Sequence, residues 1–358
     1  MDQSLQEVNV NASAPGRICL FGEHQDYLGL PVVAAAVDVR CQVRSQSRED
    51  RIVHLELLDI GEVFSWDLDA LPAPGSRGYW LSALHVASRE GWLPKTGWNA
   101  QVTSDIPQQA GASSSTALVV AWCGMIAVRS GLDVTPRWVA EAAHRAEVQW
   151  FNEPGGMMDH YACALGGVRR FEFAPSFCEI SLPKPTGTWI LIDSGEPKNT
   201  LGVLGRAKHQ RLDLMEHWDT TWSLDSGKAL PPLPVSFSLD QSALMEGTVA
   251  IRDVSEFGYQ GLRDFADEPL QWAPLLTHHH DLLRDVLHVS TDRIDRILMA
   301  ALDAGAWGGK INGSGGGGTC FVVTESSMVQ DVNSAVESKG GRPMVVELGE
   351  DGVTIEQD

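Results

Sequence analysis

The chain has 358 residues, with 47 acidic against 27 basic side chains and a formal net charge of -20. Such a surface repels nucleic acid and anionic membrane, so neither is expected as a partner. With 43% hydrophobic and 21% charged residues, disorder and coiled coil are excluded and two closely packed domains are expected.

No run approaches the roughly 20 apolar residues of a membrane span. Met1–Val10 lacks the basic start and apolar run of a signal peptide. The six cysteines (Cys19, Cys41, Cys123, Cys163, Cys178, Cys320) are far apart and form no CxxC, so they read as reduced core thiols in a cytoplasmic protein.

In chain order, Ile18–Phe21, Val32–Val43 and Ile52–Leu58 have strand patterns, and Trp80–Glu90 reads as a helix ended by Gly91. Val102–Pro107 leads into a Gly/Ser loop, and Thr116–Arg129 suits a buried helix. Thr135 is a good N-cap with Pro136 at the first position of a helix running to about Phe151. A further helix covers Met157–Leu165, ended by Gly166-Gly167. Val168–Phe173 and Thr188–Asp193 are strand-like, and the proline-rich Pro175–Pro185 between them is a place to pass between domains 1–174 and 175–358. Gly195–His217, Ser242–Phe265 and Leu270–Ala304 are mainly helical, with a loop over Asp219–Gln241. Gly308–Thr324 reads as loop then strand, and Met344–Ile355 as a closing strand. The class is mixed α+β in two lobes.

Three segments carry chemistry. Pro107–Thr116 places Gly111, Ala112, Ser113, Ser114 and Ser115 before a helix, where unpaired N–H groups and the helix dipole suit phosphate and a hydroxyl can reach Mg²⁺. Taken alone, it reads equally as an N-capped serine loop. It is not a Walker A loop, because Gly227-Lys228 and Gly309-Lys310 are followed by Ala229 and Ile311. Gly313–Gly318 matches GxGxxG but precedes a strand rather than a helix, so it marks close backbone approach to a ligand or another chain segment. Ala14–Tyr27 concentrates Arg17, Glu23, His24, Asp26 and Tyr27, a density suited to a polyhydroxylated ligand or to a solvated loop. Downstream, Asp159 lies in the first turn of a helix after Gly155-Gly156, where a carboxylate serves as cap or as base. His278, His279 and His280 are consecutive on a helix and cannot all ligate one ion. Trp80, Trp92 and Trp98 read as core, or as the edge of a base site.

Together and in this order the segments resemble the three motifs of the GHMP kinases: Pro15–Tyr27, Pro107–Thr116 and Lys310–Gly317. Within that superfamily, Gly22–Tyr27 and Pro154–Asp159 are most similar to galactokinases. The resemblance implies a ribosomal-protein-S5-like N-terminal lobe and a ferredoxin-like C-terminal lobe. It also implies ATP and Mg²⁺ as cofactors and a small-molecule sugar as substrate, phosphorylated at its anomeric hydroxyl. It assigns Asp159 as base with Arg17 beside it, Gly111 to Ser115 as the phosphate cradle, and Glu147 with a second-motif serine, Ser114, as the Mg²⁺ ligands. Glu23, His24, Asp26 and Gly156 would bind sugar hydroxyls. The chain departs from the family at Ala112, Gly155 and Arg206, the last standing where a sugar-contacting tyrosine is usual. A guanidinium there raises a uronic acid such as galacturonate as substrate; a pentose such as arabinose, a heptose and an N-acetylated hexose stay open. A mevalonate- or homoserine-type kinase and a non-enzymatic sugar and ATP sensor are the other readings.

Overall fold

The computed structural model describes residues 9–75, 78–107, 111–197, 200–216 and 232–357. The first lobe contains β1 (Asn9–Phe21), β2 (Val32–Ser47), β3 (Ile52–Leu57), β4 (Glu62–Asp67), α1 (Tyr79–Glu90), β5 (Trp98–Ser104), α2 (Ser114–Arg129), α3 (Pro136–His144), α4 (Met158–Leu165), β6 (Val168–Glu172) and β7 (Cys178–Ser181). The chain continues through β8 (Thr188–Asp193), α5 (Thr200–Glu216), α6 (Leu239–Phe265), α7 (Ala273–Leu287), α8 (Asp292–Asp303), β9 (Gly308–Ile311) and β10 (Thr319–Thr324). It ends with α9 (Val329–Ser338), β11 (Arg342–Val346) and β12 (Thr354–Gln357).

Two sheets organise these elements. The first runs β12-β1-β2-β5-β3-β4, with β6 paired to the start of β2 and β7 paired to β6. The second runs β11-β8-β10-β9, all antiparallel. Its strands count first, second, third and fourth along the chain as β8, β9, β10 and β11, so the spatial order is fourth, first, third, second, the ferredoxin-like arrangement expected. Strand β8 shows how the lobes are fused. Its alternate residues Trp189 and Leu191 enter the core shared with Ile18 and Phe21, while Ile190 and Ile192 face the core of the second lobe.

The division at residue 174 does not divide the sheets. Strand β7 lies beyond it, and β12 returns to pair with β1, Ala12 opposite Ile355. The expected closing strand Met344–Ile355 is therefore two strands in different sheets, separated at Gly349, whose φ is +82°. Gly308–Ile311 is strand rather than loop: the Ala273 carbonyl occupies the space a Gly308 side chain would need, so close packing demands the residue that otherwise disfavours strand. The loop expected over Asp219–Gln241 lies outside the described residues up to Pro231, and α6 begins at Leu239 behind a Ser238–Gln241 capping box.

Two helices position the site. The buried α2 packs on β1 and β2, and its first turn points into a cavity between the lobes. Thr135 caps α3 by accepting from Trp138 N at 3.2 Å, as expected, but the helix does not run evenly to Phe151. Over Arg145–Gln149 it widens into a π-turn that carries Glu147. Among the described residues no helix is long and apolar enough to cross a membrane.

Candidate active site

The cavity holds about 510 Å³ and is lined from both lobes. Its centre is Asp159 at the start of α4. Arg17, on β1 and 142 residues away in sequence, donates from Nε and Nη2 to the two carboxylate oxygens at 2.8 and 2.7 Å. Ser113 Oγ donates to Oδ2 at 2.7 Å, and Arg17 Nη1 donates to the Gly111 carbonyl at 2.7 Å. Arg17 is 2% exposed while the Asp159 side chain is 30% exposed, so the carboxylate faces the cavity and the guanidinium backs it. Burial alone would raise the Asp159 carboxyl; the charge and twin hydrogen bonds of Arg17, with the Ser113 hydroxyl, outweigh it and bring the pKa down to about 2.

The second motif divides by role. Gly111 has a φ of +89° and Ser113 of +63°, a left-handed turn that delivers the chain into α2. Ser114, Ser115 and Thr116 line the cavity in the first turn, where helical N–H groups have no partner within the helix. The Ala112 side chain is buried away from it, and the Ala112 carbonyl accepts from Arg17 N at 3.2 Å. Gln108, Gln109 and Ala110 lie outside the described residues. Asn312 of the third motif joins all three motifs: Oδ1 accepts from Cys19 N at 3.0 Å and Nδ2 donates to the Gly111 carbonyl at 3.1 Å.

The segment Glu23–Tyr27 also lines the cavity, yet its polar atoms are largely engaged within the protein. Glu23 is buried in an ion pair with the fully buried Lys310 and accepts from Gly313 N. Lys310 Nζ donates further to the Cys19 and Ile311 carbonyls at 2.9 and 3.0 Å. His24 places Nδ1 3.1 Å from the Tyr27 hydroxyl and Nε2 3.1 Å from the Ser314 carbonyl. Asp26 accepts from Tyr27 N at 2.9 Å and from Met158 N at 3.2 Å, capping the helix that carries Asp159. Burial raises the Asp26 pKa, with nearby Asp159 adding to it. Gly156 is required because the Asp26 carboxylate fills the place of its missing side chain. Burial also pushes the Tyr27 hydroxyl up to about 12.

Glu147 reaches the cavity wall from the π-turn and is 6% exposed, with its Oε2 3.0 Å from His160 Nε2. The contact is out of line for a hydrogen bond, and Oε2 has no other such partner among the described residues. Mg²⁺ characteristically takes one or two protein oxygens and leaves the rest to water and phosphate. A buried carboxylate without a hydrogen bond on Oε2, and the Ser114 hydroxyl on the same cavity, fit that donor set. No group of three or more His, Cys, Asp or Glu side chains among the described residues could hold a metal ion by itself.

Arg206 is a correction. It is exposed on α5, outside the cavity lining, and its Nη2 is 3.4 Å from the His288 carbonyl. One and a half turns on, Arg211 is buried and donates to the Tyr27 hydroxyl and, at 2.7 Å, to the His24 carbonyl. The arginine of α5 that meets this segment is therefore Arg211, at the Tyr27 hydroxyl and the His24 backbone, and with Arg206 outside the cavity a uronic acid substrate loses its motive. Sequence reasoning also missed Lys310 and Asn312 as braces, although both stand inside the third motif.

Other expectations resolve simply. His279 stacks on Phe21 at 6.1 Å, and His280 pairs with Asp295 at 3.0 Å, so these two rings face different neighbours. Trp92 and Trp98 are buried, whereas Trp80 lines the cavity with Leu57, Ile60 and Val102. The later part of the glycine run approaches other chain segments: Gly316 N donates to the Val289 carbonyl at 2.8 Å and Gly318 N to the Glu196 carbonyl at 3.0 Å, while Gly313 lines the cavity. All six cysteines are free, five of them buried, with Cys178 exposed on β7.

Residues 79–167 match the GHMP kinases N terminal domain, residues 269–341 the GHMP kinases C terminal domain, and residues 3–44 the galactokinase galactose-binding signature. The chain is 28% identical to a mevalonate kinase of Thermococcus gammatolerans, over 98% of this chain and 99% of that one. It is 26% identical to a galactokinase of Chloroflexus aggregans, over 91% of this chain and 86% of that one. The crystal structure of Lactococcus lactis galactokinase complexed with galactose superposes with a TM-score of 0.82 at 20% identity, covering 98% of this chain and 95% of that one.

Proposed function

The chain belongs to the GHMP kinase superfamily, whose members are ATP-dependent kinases, and on that premise we propose that it phosphorylates a monosaccharide at the anomeric hydroxyl, giving sugar 1-phosphate and ADP. The observation that carries this reading is the Asp159–Arg17–Ser113 group, open to a cavity whose wall also holds Glu23, His24, Asp26 and Tyr27.

A carboxylate has about four lone-pair sites. Arg17 Nε, Arg17 Nη2 and Ser113 Oγ occupy three on Asp159, leaving one for a substrate hydroxyl. Asp159 orients that hydroxyl by accepting its hydrogen bond. Held at about 2, it is a weak base in the resting site, so it takes the proton only as the sugar oxygen loses electron density to phosphorus. Arg17 keeps the carboxylate ionised and balances negative charge beside it. The α2 N-terminus at Ser114 to Thr116 is the seat for the phosphates. Glu147 and Ser114 would hold Mg²⁺, which when bound neutralises phosphate charge.

The mevalonate kinase reading is the second one, favoured by the 28% identity along nearly the whole chain. The galactose-binding signature over residues 3–44 supports the sugar reading instead. A sensor without activity would not need Asp159 and Arg17 joined as they are. Galactose, galacturonate, arabinose, a heptose, an N-acetylated hexose and mevalonate, each assayed with ATP by ADP release, decide the matter. Turnover of a sugar with 1-phosphate as product is expected; turnover of mevalonate alone would overturn the proposal.

A further inference from the structure

Glu147 and Asp159 sit on different helical segments, and one side chain touches the first from beside the second. His160 follows Asp159 on α4, is 2% exposed and lines the cavity. Its Nε2 is 3.0 Å from Glu147 Oε2, and among the described residues neither ring nitrogen has a hydrogen bond. The ring is held from the other side by His144, edge-on with centroids 5.1 Å apart at 85°. His144 Nδ1 is in turn 3.4 Å from Gln149 Nε2, at the far end of the π-turn. The π-turn thus carries the carboxylate, with His160 beside it and His144 edge-on to His160.

A buried carboxylate without a donor is costly, so something beyond helix geometry must hold it at the wall. The nearest polar group is His160. We propose that His160 is a positioning residue: it sets the direction of the Glu147 carboxylate toward the metal and, through α4, fixes it relative to Asp159. This rests on the reading of Glu147 as a Mg²⁺ ligand. Groups that orient a metal ligand from behind characteristically change metal affinity about 10- to 100-fold when replaced. A ring serving only as core filler would change stability and leave metal affinity alone.

The test needs no turnover. ADP affinity is measured by titration calorimetry with and without Mg²⁺, for wild type, Glu147→Gln, His160→Gln, His160→Asn and His160→Phe, each first checked for a cooperative thermal transition. Glutamine keeps a polar N–H group near the place of imidazole Nε2, the atom 3.0 Å from Glu147 Oε2, whereas asparagine keeps one only near Nδ1. The proposal expects His160→Phe and His160→Asn to lose the Mg²⁺-dependent gain in ADP affinity by about 10-fold, with metal-free ADP affinity unchanged and His160→Gln retaining most of the gain. Should His160→Phe not fold, the contrast between Gln and Asn carries the test. If Glu147→Gln loses the gain while every His160 variant keeps it, the role of His160 is overturned and the metal reading stands. If Glu147→Gln keeps the gain as well, the metal reading itself fails.

Discussion

The two polar regions of the cavity wall are built on opposite plans. Around Asp159 the buried partner is the cation: Arg17 lies behind, and the carboxylate looks out with one lone-pair site left over. Around Glu23 the carboxylate is itself buried and taken up by Lys310 and Gly313 N, with His24 and Asp26 similarly engaged. The first region leaves a carboxylate open to the cavity, and the second mainly engages other parts of the protein, Lys310, Gly313 and Ser314 among them. A dense polar motif is therefore no measure of how much of it is available to a substrate.

The sharpest way to break the comparison is at Asp159. Asp159→Asn keeps the shape and removes the charge, so turnover is expected to fall about 10²- to 10⁴-fold with nucleotide affinity unchanged. A depressed carboxyl pKa means the group stays ionised above it and loses its charge only as pH falls through about 2. The pH profile of kcat/KM in the wild type should thus show no limb from Asp159 at mildly acidic pH. A limb near the usual carboxylate range that vanishes in Asp159→Asn would mean that the carboxylate is not held as the geometry requires.

Lys310→Met tests the other plan. Removing one partner of a buried pair leaves an uncompensated charge and costs about 3–5 kcal/mol, read as a shift in urea denaturation. The double variant Glu23→Gln with Lys310→Met should recover much of that loss. A single variant of normal stability but raised KM for sugar would move Glu23 from brace to ligand.

The smallest effect is expected at Arg206. Arg206→Ala should change stability by no more than about 0.5 kcal/mol and leave sugar preference untouched. A selective change in galacturonate turnover would return Arg206 to the site.

The features legible in the chain share a physical cause. Motifs were legible because phosphate, helix N-termini and glycine turns demand particular residue types at short spacing; Arg17 stands beside Asp159 as the resemblance implied, while Ser113 and the Gly111 carbonyl, expected in the phosphate cradle, bond to that pair. Partners were not legible. Nothing in Gly22–Tyr27 says that Glu23 is paired with a lysine 287 residues away. Arg206 was misplaced because each helical residue turns about 100°, so a small error of register exchanges a buried face for an exposed one. The strand Gly308–Ile311 was hidden for a related reason: its glycines answer to the packing of Ala273, which local propensity cannot express.

The π-turn at Arg145–Gln149 sets which way Glu147 faces. It is one residue of surplus chain inside a helix, and closing it would rotate the helix on its N-terminal side against the turns on its C-terminal side by about 100°. A sequence shorter by one residue between His144 and Glu147 would keep its helix and its glutamate, and still present that glutamate to a different neighbour. Substitution counts would pass over such a gene as intact. On the reading of Glu147 as a metal ligand, deleting one residue at this point is expected to weaken metal binding while the chain still folds.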